Sequence, residues 1–293
     1  MANTINYAEK YMRELDQMIQ QQSVTADLET PNVNWLDAVT FKMPTLTVGG
    51  YKPHSRNGGF NRGDVDVTHA TYTLDFDRDV EFFVDRADVD ESNQAASAAN
   101  LTNVFMSENG VPEMDAYRLS KLATTAIDAG NTTSEELTSE NVFESIKRDL
   151  LKVRKYGPSN VTIKISSEAM DLLERSAGFQ RNISVETGEG MIDTRVTSID
   201  GVRVQEVWDD ARMWTEYDFS DGFEPETGAL KINFLIVARP AVIAKAKFNS
   251  VYLFQPGDHT QGDGFLYQNR MYHDLFVMDG KEDAVYVSTV ETP

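Results

Sequence analysis

The sequence predicts an α+β protein. Three observations predict it. Runs with a two-residue apolar period occur near both ends of the chain. Apolar residues spaced by three and four recur in its first and middle parts. A nearly unbroken apolar segment, Ile232–Val237, suits a strand buried on both faces.

In chain order, residues 5–22 read as a helix whose stripe is Ile5, Ala8, Met12, Leu15 and Ile19. So narrow a stripe does not sustain a free helix, so it must dock on the body or on another chain. The following stretch is polar and weakly patterned apart from short β-like pieces. Residues 48–66 hold five glycines together with Lys52, His54, Arg56 and Arg62, in a chain that is otherwise acidic. Strand-like runs flank them, "PTLTV" before and "VDVTHATYTLDFDRDVEFFVD" after, so an extended hairpin arm is expected. Residues 92–128 read as helix, and Gly110 and Pro112 should bend or break it. Ser139 caps a further helix that closes at Gly157 before Pro158. "NVTIKIS" is a strand, and "SSEAMDLLERSAG" a helix ending at Gly178. Two short strands surround the Asp200-Gly201 turn. Residues 270–290 read as a hairpin about Asp279-Gly280. No internal repeat is visible.

Chemistry is sparse. There is no cysteine, which removes disulfides, thiolate catalysis and cysteine zinc sites and fits a reducing compartment. The N-terminus lacks the apolar run of a secretion signal, and no segment approaches the roughly 18 apolar residues of a membrane span. No GxSxG, HExxH, GxxxxGK or strand-to-helix GxGxxG motif occurs. Asp75, Asp77 and Asp79 alternate like calcium ligands, but Val80 and Arg86 stand where the loop needs Gly and Glu, so a solvated strand face is expected. Asp258, His259 and Asp263 read as a surface loop. His273 and Asp274 are adjacent on a strand, point to opposite faces, form no dyad, and are expected in the polar skin of a sheet. No catalytic, metal or cofactor-binding residue is assigned. The net charge of −20 opposes gripping nucleic acid by its phosphates, although it suits a container around it.

Three places carry a resemblance to the major capsid proteins of tailed bacteriophages, the Hong Kong 97-like fold. They are the basic hairpin "YKPHSRNGGFNRGDVDVTHATYTLDFDRDVEFFVD", the helix "SENGVPEMDAYRLSKLA", and "RMYHDLFVMDGKEDAVYV" after "NFLIVARPAVIAKAKF". The resemblance implies an N-terminal arm at 1–40, an extended loop at 41–78, a peripheral domain with a spine helix at 79–135, an axial domain at 136–246, and a return to the peripheral domain at 247–293. It implies a structural subunit with no enzymatic activity and no cofactor. That subunit self-assembles into hexamers and pentamers of an icosahedral head in the host bacterial cytoplasm, enclosing double-stranded DNA without gripping it and meeting portal, scaffolding or head-completion proteins. No membrane is involved.

Inter-subunit contacts are expected from Tyr51, Lys52, His54, Arg56, Phe60 and Arg62 in the loop, and from Ile5, Met12, Leu15 and Ile19 in the arm. Some members crosslink chains through a loop lysine, the place of Lys52. No matching Asn and acid can be identified here, and the loop's cations are read as partners of acids on the next subunit. An encapsulin-like nanocompartment shell around protein cargo shares the fold. A soluble acidic α+β enzyme is the more distant alternative.

Overall fold

The structure is a computed structural model that describes residues 23–290 apart from 32, 38, 55–57, 59–60, 87–97 and 177–195. The expected helix at 5–22 lies outside these residues.

Strand β1 (Asn34–Trp35) pairs with β2 (Thr40–Val48), and β2 pairs with β3 (Val65–Thr73) from Thr40 opposite Thr73 to Val48 opposite Val65. This is the expected hairpin. β4 (Phe76–Asp85) follows, half-buried on one face and exposed on the other along its length, and Asp77 and Asp79 fall on the exposed face. Helix α1 (Ala98–Phe105) runs through a π turn, Met106–Gly110, into α2 (Val111–Asp128). The expected break at Gly110 and Pro112 is thus a π irregularity. Pro112 falls two residues past the π turn, and that irregularity in the hydrogen-bond ladder accommodates a residue with no N–H to give to the preceding turn.

β5 (Thr132–Ser134) leads to α3 (Val142–Val153), β6 (Val161–Ser166) and α4 (Ser167–Glu174). The expected cap at Ser139 is replaced by Thr138 and Asn141, whose side chains bond each other's backbone N–H. Ser166 caps α4 through Ala169 N–H. β7 (Ser198–Ile199) and β8 (Val202–Val207) form the expected hairpin, with φ of 50° at Asp200 and 79° at Gly201. Positive φ at both central residues is what a tight Asp-Gly hairpin turn demands. A small hairpin follows, β9 (Tyr217–Asp218) with β10 (Glu224–Pro225). The chain ends in β11 (Ile232–Ala238), β12 (Val242–Phe254), β13 (Gly264–Val277) and β14 (Val285–Thr289).

The central sheet has the order β5-β14-β11-β6-β8-β7, and a second sheet has the order β12-β13-β4. All seven residues of β11 are buried, as its continuous apolar run predicts. Phe234 and Ile236 face the layer of α3 and α4, with Ile146, Leu150, Ile163 and Ile165. Leu235 and Val237 face α2, with Leu119, Leu122 and Ala126. The core is therefore a sheet between two helical layers.

The C-terminal hairpin is not formed. β13 pairs with β12 and β4, whereas β14 pairs with β11 and β5. Both runs are strands as expected, but after Gly280 the chain enters a short 3-10 helix, Glu282–Ala284, and crosses to the other sheet. The turn chemistry is present, but β12 and β11 take the partners.

Truncating Ile236 to Ala in the unassembled subunit should cost about 2–5 kcal/mol, the range for a buried aliphatic side chain. Leu151→Ala, at a side chain 65% exposed on α3, should stay within about 0.5 kcal/mol. Urea denaturation followed by circular dichroism measures both.

Candidate assembly surfaces

The β2–β3 hairpin is anchored at one end and bare at the other. At its base, Phe41 is fully buried and packs with Tyr72, Leu74, Ile243 and Tyr272. Lys247 lies 3.6 Å over the Trp35 ring. Toward the tip the cover ends: Val48, Val65 and Val67 are 61%, 67% and 52% exposed, and Tyr51 is fully exposed. The tip is closed by Gly49 N–H to the Asp64 carbonyl at 2.9 Å, Lys52 Nζ to the Arg62 carbonyl at 3.1 Å, and Asn61 Nδ2 to the Pro53 carbonyl at 2.7 Å. Of the expected loop contacts, Tyr51, Lys52, His54 and Arg62 are all solvent-exposed. Arg56 and Phe60 lie outside the described residues, as do Ile5, Met12, Leu15 and Ile19.

A second feature was not legible in the sequence. Residues 23–30 form a strap packed between α2, the central sheet and β12. Val24 and Leu28 join the cluster under α2. Asp115 of α2, fully buried, accepts from Ser23 Oγ at 2.6 Å, Val24 N–H at 3.0 Å, Thr25 N–H at 3.2 Å, Thr25 Oγ1 at 2.6 Å and Arg212 Nη1 at 3.2 Å. Lys164 of β6, also fully buried, donates to the Val24 carbonyl, to Asp27 Oδ1 at 2.6 Å and to Gln205 Oε1 at 2.7 Å. Burial pushes the Lys164 ammonium below its ordinary pKa, and Asp27 pulls it back. Beyond them, Thr30 N–H bonds the Ala244 carbonyl of β12 at 2.9 Å. The only sequence signal was Lys164 itself, a charge between Ile163 and Ile165 in a strand-like run.

The reading of His273 and Asp274 as polar skin is corrected: both are about 1% exposed. Helix α2 lies over this part of β13 and supplies their surroundings. Asp274 accepts from Tyr117 Oη at 2.8 Å and Asp75 N–H at 3.1 Å, and His273 packs edge-on against Phe76 and Tyr117. Burial holds the imidazole well below its ordinary pKa of 6.5, and the Arg118 guanidinium adds to the push. Among the described residues no cluster of three potential metal ligands occurs, and no helix is long and apolar enough to cross a membrane.

No family model and no curated protein matches this chain. Solved structures do. The capsid of Cyanophage P-SCSP1u aligns at 12% identity and a TM-score of 0.61, covering 92% of this chain and 89% of that one. A structure from Gordonia phage Cozz aligns at 13% identity and a TM-score of 0.59, covering 94% and 87%. The asymmetric unit of the bacteriophage PhiM1 mature capsid aligns at 11% identity and a TM-score of 0.56, covering 87% and 83%. This chain has a phage capsid fold.

Within that capsid fold, the strap supplies two checks. Asp115→Ala should cost about 3–5 kcal/mol, since it strips a buried charge from Arg212 and from the strap's donors. Limited proteolysis of the variant should cut within 23–30 at a protein concentration where the parent is protected; equal protection would show that Asp115 does not hold the strap. His273 gives a pH signature. Below about pH 6.5 the unfolded chain takes up a proton at this imidazole that the folded chain refuses. Folding stability is therefore unaffected above that pH and falls below it, by at most about 1.4 kcal/mol per pH unit. His273→Asn should remove this acid sensitivity, read as a flatter plot of unfolding free energy against pH from 7 to 5.

Proposed function

We propose that the chain is a major capsid protein of a tailed phage, assembling as hexamers and pentamers into an icosahedral head around double-stranded DNA. The observation that carries this is the hairpin arm: a chain with a capsid fold extends a two-stranded ribbon whose outer half keeps Val48, Tyr51, Val65 and Val67 in water. A two-stranded ribbon is marginal alone, and apolar residues clustered on one suit a surface that another molecule covers.

In this reading residues 41–78 are the extended loop lying over a neighbour, with Tyr51, Lys52, His54, Arg56, Phe60 and Arg62 at the contact. Residues 1–40 are the N-terminal arm, whose Ile5, Met12, Leu15 and Ile19 meet another copy. Residues 79–135 and 247–293 serve as the peripheral domain, and 136–246 as the axial domain. The role is structural rather than catalytic. The excess of acids suits an enclosing wall, because releasing counterions from DNA needs cations that this chain largely lacks. Portal, scaffolding or head-completion proteins and a place in the virion follow from the same reading.

Purified protein should form closed particles of uniform diameter, seen by light scattering and electron microscopy, with fivefold and sixfold capsomers in averaged images. A monomer or small oligomer under all assembly conditions would overturn the reading. Particles from the native source that hold nuclease-protected DNA support a phage head, and particles filled with protein cargo would make it a nanocompartment instead.

A further inference from the structure

We propose that the basic tip of the β2–β3 arm docks on the acidic β9–β10 hairpin of a second copy of this chain. The inference rests on reading the arm as an inter-subunit element, and it adds which surface receives it. Two features of one sequence carry it, and they are opposite in charge.

The first is the arm. Cross-strand pairing sets Val48 opposite Val65, and the two-residue pleat puts Val67 on that same face. All three are more than half exposed, so this face has no cover among the described residues. Directly beyond it, residues 49–63 hold Lys52, Arg56 and Arg62 and not one acid. Lys52 and Arg62 form no ion pair among the described residues; the one bond from Lys52 goes to a backbone carbonyl.

The second is the β9–β10 hairpin. Residues 216–226 hold Glu216, Asp218, Asp221, Glu224 and Glu226 and not one base. The carboxylates of Glu216, Asp221, Glu224 and Glu226 have no hydrogen-bond or ionic partner among the described residues. Their backbone is nevertheless held firmly. Arg78 donates to the Phe219 carbonyl at 2.6 Å and to the Gly222 carbonyl at 3.4 Å, while its Nε bonds Glu113 of α2 at 2.7 Å. Phe219 packs edge-on against Phe76 and Tyr117. The hairpin is thus a braced projection that presents unneutralised charge. Such uncompensated like charge is unfavourable in the free subunit, and a cationic ribbon relieves it.

Competing acidic ground lies on the exposed face of β4, but it is already engaged. Asp77 pairs with Arg270, and Glu81 accepts from Gln268 Nε2 at 2.6 Å. The Arg270 cation answers the charge of Asp77 and the Gln268 amide occupies Glu81, so the β9–β10 hairpin is the stronger attractor.

The test is a charge swap in the full-length chain, read by light scattering, electron microscopy and the melting temperature of the unassembled subunit. The arm variant K52E/R62E and the hairpin variant D221K/E224K should each slow assembly at least tenfold near physiological salt, with melting temperatures near the parent's. The four-substitution swap should recover assembly to within about threefold of the parent. An arm variant that assembles normally would overturn the inter-subunit reading of the arm itself. An impaired arm variant beside a normal hairpin variant would overturn only the receiving surface, leaving the arm to contact another place such as β4. Impairment of both without recovery in the swap would overturn direct pairing. If the lysine substitutions lower the melting temperature, D221N/E224Q serves in their place. It should weaken the salt dependence of assembly, and an unchanged salt dependence would count against the pairing.

Discussion

Two buried charges of opposite sign hold this molecule's layers together. Asp115 sits on the long helix and Lys164 on the central sheet, and each bonds the strap at 23–30, with Arg212 and Gln205 completing their partners. Removing such charges from water is costly, and only several short bonds to each make the burial tolerable. The strap itself offers little apolar surface beyond Val24 and Leu28. Its position is therefore set by polar geometry, which specifies one arrangement where apolar contact alone would accept several. The strap then bonds β12 and leads straight into β1 and the hairpin arm. Where the arm leaves the body follows from where these two charges hold the strap.

From this anchor the chain divides into regions of opposite energetic character. The central sheet carries helices on both faces, and its strand β11 is buried along its whole length. The arm buries only its base, at Phe41 and Tyr72, and leaves its outer half in water. A monomer gains nothing from such a ribbon. In the proposed shell, the area left exposed on one copy would become contact area between copies, with the buried base setting the direction in which it is offered. The long helix contributes to both regions. Its Leu119 and Leu122 cover the central sheet, and Tyr117 and Glu113 engage β13 and β4.

Acidity has a corresponding division. Carboxylates inside the fold, Asp115 and Asp274, are fully bonded and structural. Glu216, Asp221, Glu224 and Glu226 on the β9–β10 hairpin have no such partners among the described residues, and the few cations of the arm tip lie at the other extreme of the charge distribution. In a chain of net charge −20, contrast of this kind favours orientation between copies more than it favours affinity.

Much of this was legible from the sequence alone. Element type is a local property: alternation marks β2, β3 and β4, an apolar run marks β11, and Asp200-Gly201 demands the positive φ of a tight turn. The exposed, basic, glycine-rich arm was visible for the same reason, since its character depends on no distant partner. Partner choice is not local. Asp279-Gly280 is good hairpin chemistry, yet β13 and β14 separate, β13 lying between β12 and β4 and β14 between β11 and β5. His273 and Asp274 look like surface residues until α2 is laid across them. Ser23, Thr25 and Asp27 look like linker until Asp115 and Lys164, ninety or more residues from the groups they bond, close around them. The sequence by itself determined the strands, the helices and the unburied arm, because local spacing and charge suffice for these. Only the tertiary structure decided which strands pair and which polar groups are buried, because those depend on contacts between segments that no local pattern encodes.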